Sequence, residues 1–380
     1  MGMLYEYEAK ELFRRHGIPT PANKLYENKE SIDEFVKEIN QKTFMAKGQA
    51  LAGGRGKAGL IKRVSAEEAE DYIKSIVGKD HKGKPIQQVM LEEPMTIAKE
   101  YYLAIMINNA TGNYHVLSSS MGGVDIESVA KEHPEAIFRQ DLPIDFEPLP
   151  YQFVDLGKKL GFQGRVLNQF TSIMVKMFSM AISKDLTLVE INPLILTEDN
   201  KLIAADAKVV VDKNAYYRNK DLAQLKSQID QYTELELEAN EAGISYVELD
   251  GEIGIIACGA GLSMATCDLL EYYGSSPANF LDVGGGADRE KVHKALDILS
   301  REKIKGIFIN VFGGITRCDE VAHGIISAKE ELNIDVPMVI RLIGTNDKEG
   351  IKILEENGFH AFGEMKPAAK KIVELVQGGN

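Results

Sequence analysis

The chain has 380 residues, more than one hydrophobic core normally serves, so two or three domains are expected. Its 44% hydrophobic and 27% charged residues are ordinary for a folded protein and exclude a disordered or fibrous one. With 57 acidic against 44 basic side chains the formal charge is -13, which argues against nucleic acid or anionic membrane as partners and leaves polyanions only a local basic pocket.

The opening MGMLYEYEAKEL carries acids where a signal peptide has a basic and then an apolar stretch. No apolar run reaches the ~18 residues of a spanning helix. A cytoplasmic location is expected, or the mitochondrial matrix if a transit peptide was removed. Cys258, Cys267 and Cys318 are odd in number and lack close metal-ligand spacing, so neither disulfides nor structural zinc are expected.

A helix is predicted near Glu8 to His16, followed by a Gly/Lys-rich loop at 47–60 and strands near 86–92, 101–107 and 114–119. This half reads as α+β. The stretch MAKGQALAGGRGKAGLIKRV, residues 45–64, sets Lys47, Arg55, Lys57, Lys62 and Arg63 among Gly48, Gly53, Gly54, Gly56 and Gly59. Glycines admit close backbone approach and the cations supply charge, a pattern suited to phosphate. It is not a Walker A loop, because Ala58 follows the Gly-Lys pair and no glycine lies five positions before it. A solvated basic loop would have the same composition. Glu92 and Glu93 end one predicted strand and Glu100 opens the next, placed either to hold a ribose or adenine group or simply as exposed charges.

Leu186 to Val211 reads as a hairpin turning at Thr197, Glu198, Asp199 and Asn200. Glu190 and Asn192 then share a strand face, and a tip near Asp199 sets Asn192 opposite or nearly opposite Asp206. An amide oxygen and a carboxylate suit magnesium, which nucleotide phosphates and waters complete. Glu190, lodged between apolar residues, fits a buried structural acid equally well. An acidic helical stretch, Asp221 to Glu241, leads to a domain boundary placed near residue 240.

From Gly251 onward β-branched runs alternate with helical stretches: EIGIIAC, ANFLDV, IKGIFINVF, PMVIRLIG and a short strand at His360 to Phe362. This alternation implies a parallel sheet of about five strands with right-handed crossovers. The first four strands end in turns of small residues at 258–261, 284–286, 312–314 and 344–346, on the edge where such sheets bind ligands.

In order along the chain, YEYEAKELFRRHGIPTP, QALAGGRGKAG, LVEINPL, ANFLDVGGGA and FGGITRCD resemble the signature segments of the succinyl-CoA synthetase β-subunit family. The resemblance implies an ATP-grasp fold of two subdomains at 1–240, then a flavodoxin-like, doubly wound ligase domain at 241–380 that contacts an α subunit. It implies that Lys47, Gly54, Arg55 and Gly56 contact nucleotide phosphates. Glu92, Met95 and Glu100 would hold base, ribose or phosphates. Asn192 and Asp206 would bind magnesium, and Glu190 would steady a phosphohistidine brought by the partner. Gly314, Ile315 and Thr316 with Cys258 would border the acyl substrate.

The family's reaction interconverts succinyl-CoA, ADP and phosphate with succinate, CoA and ATP, within the tricarboxylic acid cycle. It passes through an acyl phosphate and a histidine of the α subunit. None of the seven histidines here, at 16, 81, 115, 133, 293, 323 and 360, has the Gly-His-Ala-Gly setting of that relay residue. Coenzyme A is expected mainly on the partner, in a heterodimer or α2β2 heterotetramer.

Position 258 is Cys where the family usually has Asn, which leaves a related acid such as malate open as substrate. Leu51 and Leu60 replace a histidine and a glycine at the flanks of the basic loop. Pro21 favours ADP/ATP, with GDP/GTP left open. A self-sufficient ATP-grasp ligase and a nucleotide-binding scaffold are the rival readings.

Overall fold

Alternation of apolar and polar residues governs the sheet that carries most of the predicted site. Along Leu186–Thr197, Leu186, Val189, Ile191 and Leu194 point into the core while Glu190 and Asn192 point away from it. Cross-strand Leu103, Ile105 and Val209 share the core face, because paired residues lie on the same side of a sheet. The helix Gly164–Ser183 covers that face with Phe170, Ile173, Met174, Met177, Phe178 and Ala181, one stripe at helical spacing.

The computed structural model describes residues 2–145 and 147–378, and the chain forms two units, Met1–Gln231 and Tyr232–Asn380. In the first unit the strands Gly2–Met3, Lys208–Val211, Leu186–Thr197, Ile97–Asn108, Asn113–Ser119 and Ile137–Leu142 lie side by side in that order, all antiparallel. A seventh strand, Leu202–Ala204, pairs with the far end of Leu186–Thr197.

A second antiparallel sheet orders Asn23–Leu25, Val89–Glu92, Thr43–Gly48 and Ile61–Ser65. The helices Lys29–Ile39 and Ala66–Ile76 pack on it through Ile32, Phe35, Ala69 and Ile73. The predicted acidic helical stretch is broken into three short helices, Lys220–Ala223, Lys226–Asp230 and Glu234–Glu241. The last is nucleated afresh by Thr233, whose hydroxyl accepts from the Glu236 amide while the Glu236 carboxylate accepts from the Thr233 amide.

The second unit holds a sheet ordered Ser245–Glu248, Asn279–Asp282, Ile253–Ala257, Gly306–Gly313, Met338–Gly344 and His360–Phe362. The last five are parallel, as the strand-helix alternation predicts, and Ser245–Glu248 adds an antiparallel edge strand. Helices Arg289–Ser300, Cys318–Leu332 and Asp347–Glu356 bury one face and Ala260–Tyr272 and Met365–Gln377 the other. Burial on both faces explains why the central strands Ile253–Ala257 and Gly306–Gly313 are apolar runs without alternation.

Candidate functional site

The polar face of the first unit's large sheet opens on a cleft of about 670 Å³. Within the hairpin, Glu190 pairs with Lys208 and Leu194 with Ala204 in one register, which sets Asn192 opposite Asp206. Both residues line the cleft with Glu190, facing Gly54, Arg55 and Gly56 of the basic loop. That loop joins the paired strands Thr43–Gly48 and Ile61–Ser65. Gly54 sits at φ +89° with open space around it, a conformation that favours glycine and leaves the backbone accessible.

Beneath the cleft lies an ionic network. Lys47 Nζ donates to Glu6 Oε1 at 2.9 Å, Glu92 Oε1 at 2.6 Å and the Ala205 carbonyl at 2.9 Å. Lys10 Nζ donates to Glu6 Oε1 at 2.8 Å, the Ala205 carbonyl at 2.7 Å and Glu92 Oε2. Arg55 joins Glu6 Oε2 at 2.5 Å to Asp206 Oδ1 at 3.1 Å. Three cations thus face three carboxylates, and Glu6, Lys10, Lys47 and Glu92 are buried.

Burial alone would raise the Glu6 carboxyl. The charges of Arg55, Lys10 and Lys47 outweigh it and hold the group well below the ordinary range. The Lys47 ammonium is raised against its own burial by Glu6, Glu92 and Asp206. Asp206 is the exception: crowding by protein, then the Glu6 charge, raise its carboxyl despite Arg55 and Lys47. Burial also raises Glu190, with the Asp206 charge, against Lys208 and Tyr102. The Tyr102 hydroxyl lies 3.5 Å from Glu190 Oε2.

The donor set at the hairpin fits magnesium. Asn192 offers an amide oxygen and Asp206 a carboxylate, and no group of three or more His, Cys, Asp or Glu converges anywhere among the described residues. A cation here would need phosphate and water oxygens, as magnesium does. One Asn192 Oδ1 lone pair is already used, accepting from Gly123 N at 2.8 Å, while Nδ2 donates to the Val124 carbonyl at 2.9 Å. The other lone pair is the one available to a metal. Gly123, at φ +72°, lies so close to Glu100 that a Cβ would come within 2.2 Å of Oε2.

Glu100 is therefore brought beside Asn192 through the Gly122–Gly123 turn. Glu92 takes its place in the ionic network, off the cleft lining, and Met95 lies in the connection between the strands Val89–Glu92 and Ile97–Asn108. The charged residues of the first helix, Glu6–Arg15, were not anticipated. Their signal is present: Glu6, Ala9, Lys10 and Phe13 form one buried stripe at helical spacing, and two of its four positions are charged.

Cys258, Gly314, Ile315 and Thr316 belong to the second unit, where the glycine turns are laced together. Asp282 Oδ1 accepts from Gly259 N at 2.6 Å and Gly284 N at 2.7 Å, and Thr316 Oγ1 accepts from Gly286 N at 2.9 Å. The Thr345 hydroxyl donates to the Gly314 carbonyl at 3.0 Å. Burial and the Asp282 charge push the Cys258 thiol up to about 11, against Thr316, which lowers it. Ile315 stands 87% exposed beside this cluster.

An ATP-grasp domain model matches residues 3–196 and a CoA-ligase model residues 256–373. Among relatives, the succinate–CoA ligase [ADP-forming] subunit beta of Desulfurococcus amylolyticus is 42% identical over 380 residues, 99% of each chain. Its counterpart in Aquifex aeolicus is 41% identical over 382 residues, 98% of each chain. The structure of ATP citrate lyase from Methanothrix soehngenii in complex with citrate and coenzyme A aligns over 99% of both chains, with TM-score 0.76 and 19% identity, a likeness of fold. Full-length identity near 40% and both domain models in order show that the chain belongs to the family of ADP-forming succinate–CoA ligase β subunits.

Proposed function

We propose that the first unit binds ADP or ATP in the cleft between the Gly54–Arg55–Gly56 loop and the Glu190/Asn192/Asp206 hairpin. With an α subunit the chain then joins succinate to coenzyme A, with CoA carried mainly by the partner. The single observation carrying this reading is that cleft, where loop cations and a two-oxygen donor set face one another. Arg55 and Lys47 neutralise phosphate charge, and the open backbone at Gly54 lets phosphate oxygens approach amide groups. Asn192 and Asp206 hold magnesium, which when bound offsets charge on the transferred phosphoryl group. Glu100, beside the Asn192 clamp, and Glu92, behind Lys47, fix that side of the site, and the main chain at Met95 borders the base.

Glu190, its carboxyl raised by burial, is suited to accept a hydrogen bond from an imidazole N–H of the partner's phosphorylated histidine. In the second unit, Cys258, Thr316 and the Gly314–Ile315 turn border the acyl substrate. Phosphoryl transfer of this kind rests on positioning and charge neutralisation, which this arrangement supplies without a covalent nucleophile from this chain.

The test is to co-purify the chain with a candidate α subunit and follow CoA-dependent ADP formation from ATP with succinate, malate or no acid, and with GTP in place of ATP. Activity with succinate that needs the partner, and that Asp206→Asn abolishes, is the expected result. Malate preference would transfer the reading to the neighbouring acid that Cys258 admits, and activity of the chain alone would overturn the subunit assignment.

A further inference from the structure

We propose that Glu6, on the first helix, is a positioning residue of the nucleotide site: its carboxylate holds Arg55 and Lys47 in place for phosphate. The inference rests on the reading of the cleft given above. Arg55 ties the basic loop to the first helix and the hairpin through two carboxylate partners, Glu6 at 2.5 Å and Asp206 at 3.1 Å. Gly53, Gly54 and Gly56 around it have no neighbour that a Cβ would touch, so the tip of the loop beside the guanidinium has no side-chain packing of its own. Once Asp206 is committed to a cation, Glu6 is the carboxylate left to aim the guanidinium.

A carboxylate so near a phosphate site would ordinarily repel the ligand. Here it is offset. Glu6 accepts from Lys10, Lys47 and Arg55 together, so the helix delivers an anchor whose own charge is already neutralised. Lys10 is fully buried and can follow neither Lys47 nor Arg55 toward a ligand. It remains as the fixed counter-ion of Glu6 and Glu92 when the other two turn to phosphate. The depressed carboxyl of Glu6 agrees with its remaining an anion throughout.

The experiment uses the chain assembled with its partner and reads equilibrium ADP binding in magnesium, where Asp206 is committed, and in EDTA, as well as steady-state kinetics. Glu6→Gln keeps the shape and removes the charge. It should weaken ADP binding and raise nucleotide KM by about tenfold or more, the worth of one charge-assisted hydrogen bond, with succinate KM unchanged. Glu6→Asp, which retains the charge one methylene further back, should lie between Glu6→Gln and the natural protein. A purely structural role would lower the melting temperature and leave ADP affinity of the folded protein as it was. Unchanged ADP affinity in Glu6→Gln and Glu6→Asp, alongside weakened binding in Arg55→Met, overturns the positioning role and spares the cleft. Unchanged affinity in Arg55→Met overturns the cleft and the positioning role with it.

Discussion

Lys10→Met tests whether the ionic network is a cooperative unit. Lys10 Nζ uses its three hydrogens on Glu6, Glu92 and the Ala205 carbonyl. Its removal leaves three carboxylates against two cations in a buried setting. Removing one partner of a buried pair costs about 3–5 kcal/mol. The lower end applies, because every acceptor that loses Lys10 keeps another donor: Glu6 keeps Lys47 and Arg55, and Glu92 and Ala205 keep Lys47. A loss of about 3 kcal/mol at about 2–4 °C per kcal/mol lowers the melting temperature of a unit this size by about 6–12 °C. Calorimetry is the assay, since it separates the transitions of the two units. Lys10→Met combined with Glu92→Gln removes one charge of each sign and should be less destabilising than the sum of the two single changes, by about 1–3 kcal/mol. A shift below about 2 °C for Lys10→Met, or strict additivity in the pair, would refute the cooperative network.

Glu190→Gln should raise the melting temperature at pH 7 while lowering turnover of the assembled enzyme. The folded-state carboxyl is raised by burial, so its charge costs stability above the folded value, and the gain should fade as pH falls and the natural carboxyl takes up its proton. Gly123→Ala puts a side chain on a backbone φ of +72° and pushes the Glu100 carboxylate aside, so it should cost about 1–3 kcal/mol through the backbone and, by displacing the segment that clamps Asn192, weaken magnesium-dependent nucleotide binding. The Cys258 thiol, pushed up to about 11, should be alkylated only slowly at pH 7 and faster as pH rises toward that value, followed by mass spectrometry of its peptide. Rapid labelling at pH 7 would contradict the burial and the Asp282 charge that raise it.

The second unit was legible because its central strands Ile253–Ala257 and Gly306–Gly313 are continuous apolar runs and turns of small residues close the first four parallel strands. Ser245–Glu248 was missed since only Tyr246 of its four residues faces the core. The hairpin was legible for a different reason. The turn at Thr197 to Asn200 fixes the pairing, and a single register from Leu196 back to Leu188 carries Asn192 to its place opposite Asp206. The strand Ile97–Asn108 extends four residues further toward the N-terminus than its apolar pattern shows. Its first residues are held by pairing with Leu194–Thr197, not by burial. What could not be read was the destination of Glu6 and Lys10. Spacing shows that they share a stripe with Ala9 and Phe13, but the carboxylates and cations that make such a stripe tolerable come from Lys47, Arg55 and Glu92, 37 to 86 positions away along the chain.

That long-range dependence divides the site into two kinds of residue. Glu6, Lys10, Lys47 and Glu92 neutralise one another across a helix and two strands, so the first unit gains stability from assembling the network that lies beneath the cleft. Glu190 and Asp206 instead have carboxyls raised above the ordinary value, chiefly by burial. Substitutions in the network should therefore lose stability and nucleotide affinity together, whereas a neutral side chain at Glu190 should trade activity for stability. The distinction follows from the sign of two displacements: the Glu6 carboxyl is depressed by Arg55, Lys10 and Lys47 of the same chain, whereas burial raises the Glu190 carboxyl against Lys208 and Tyr102.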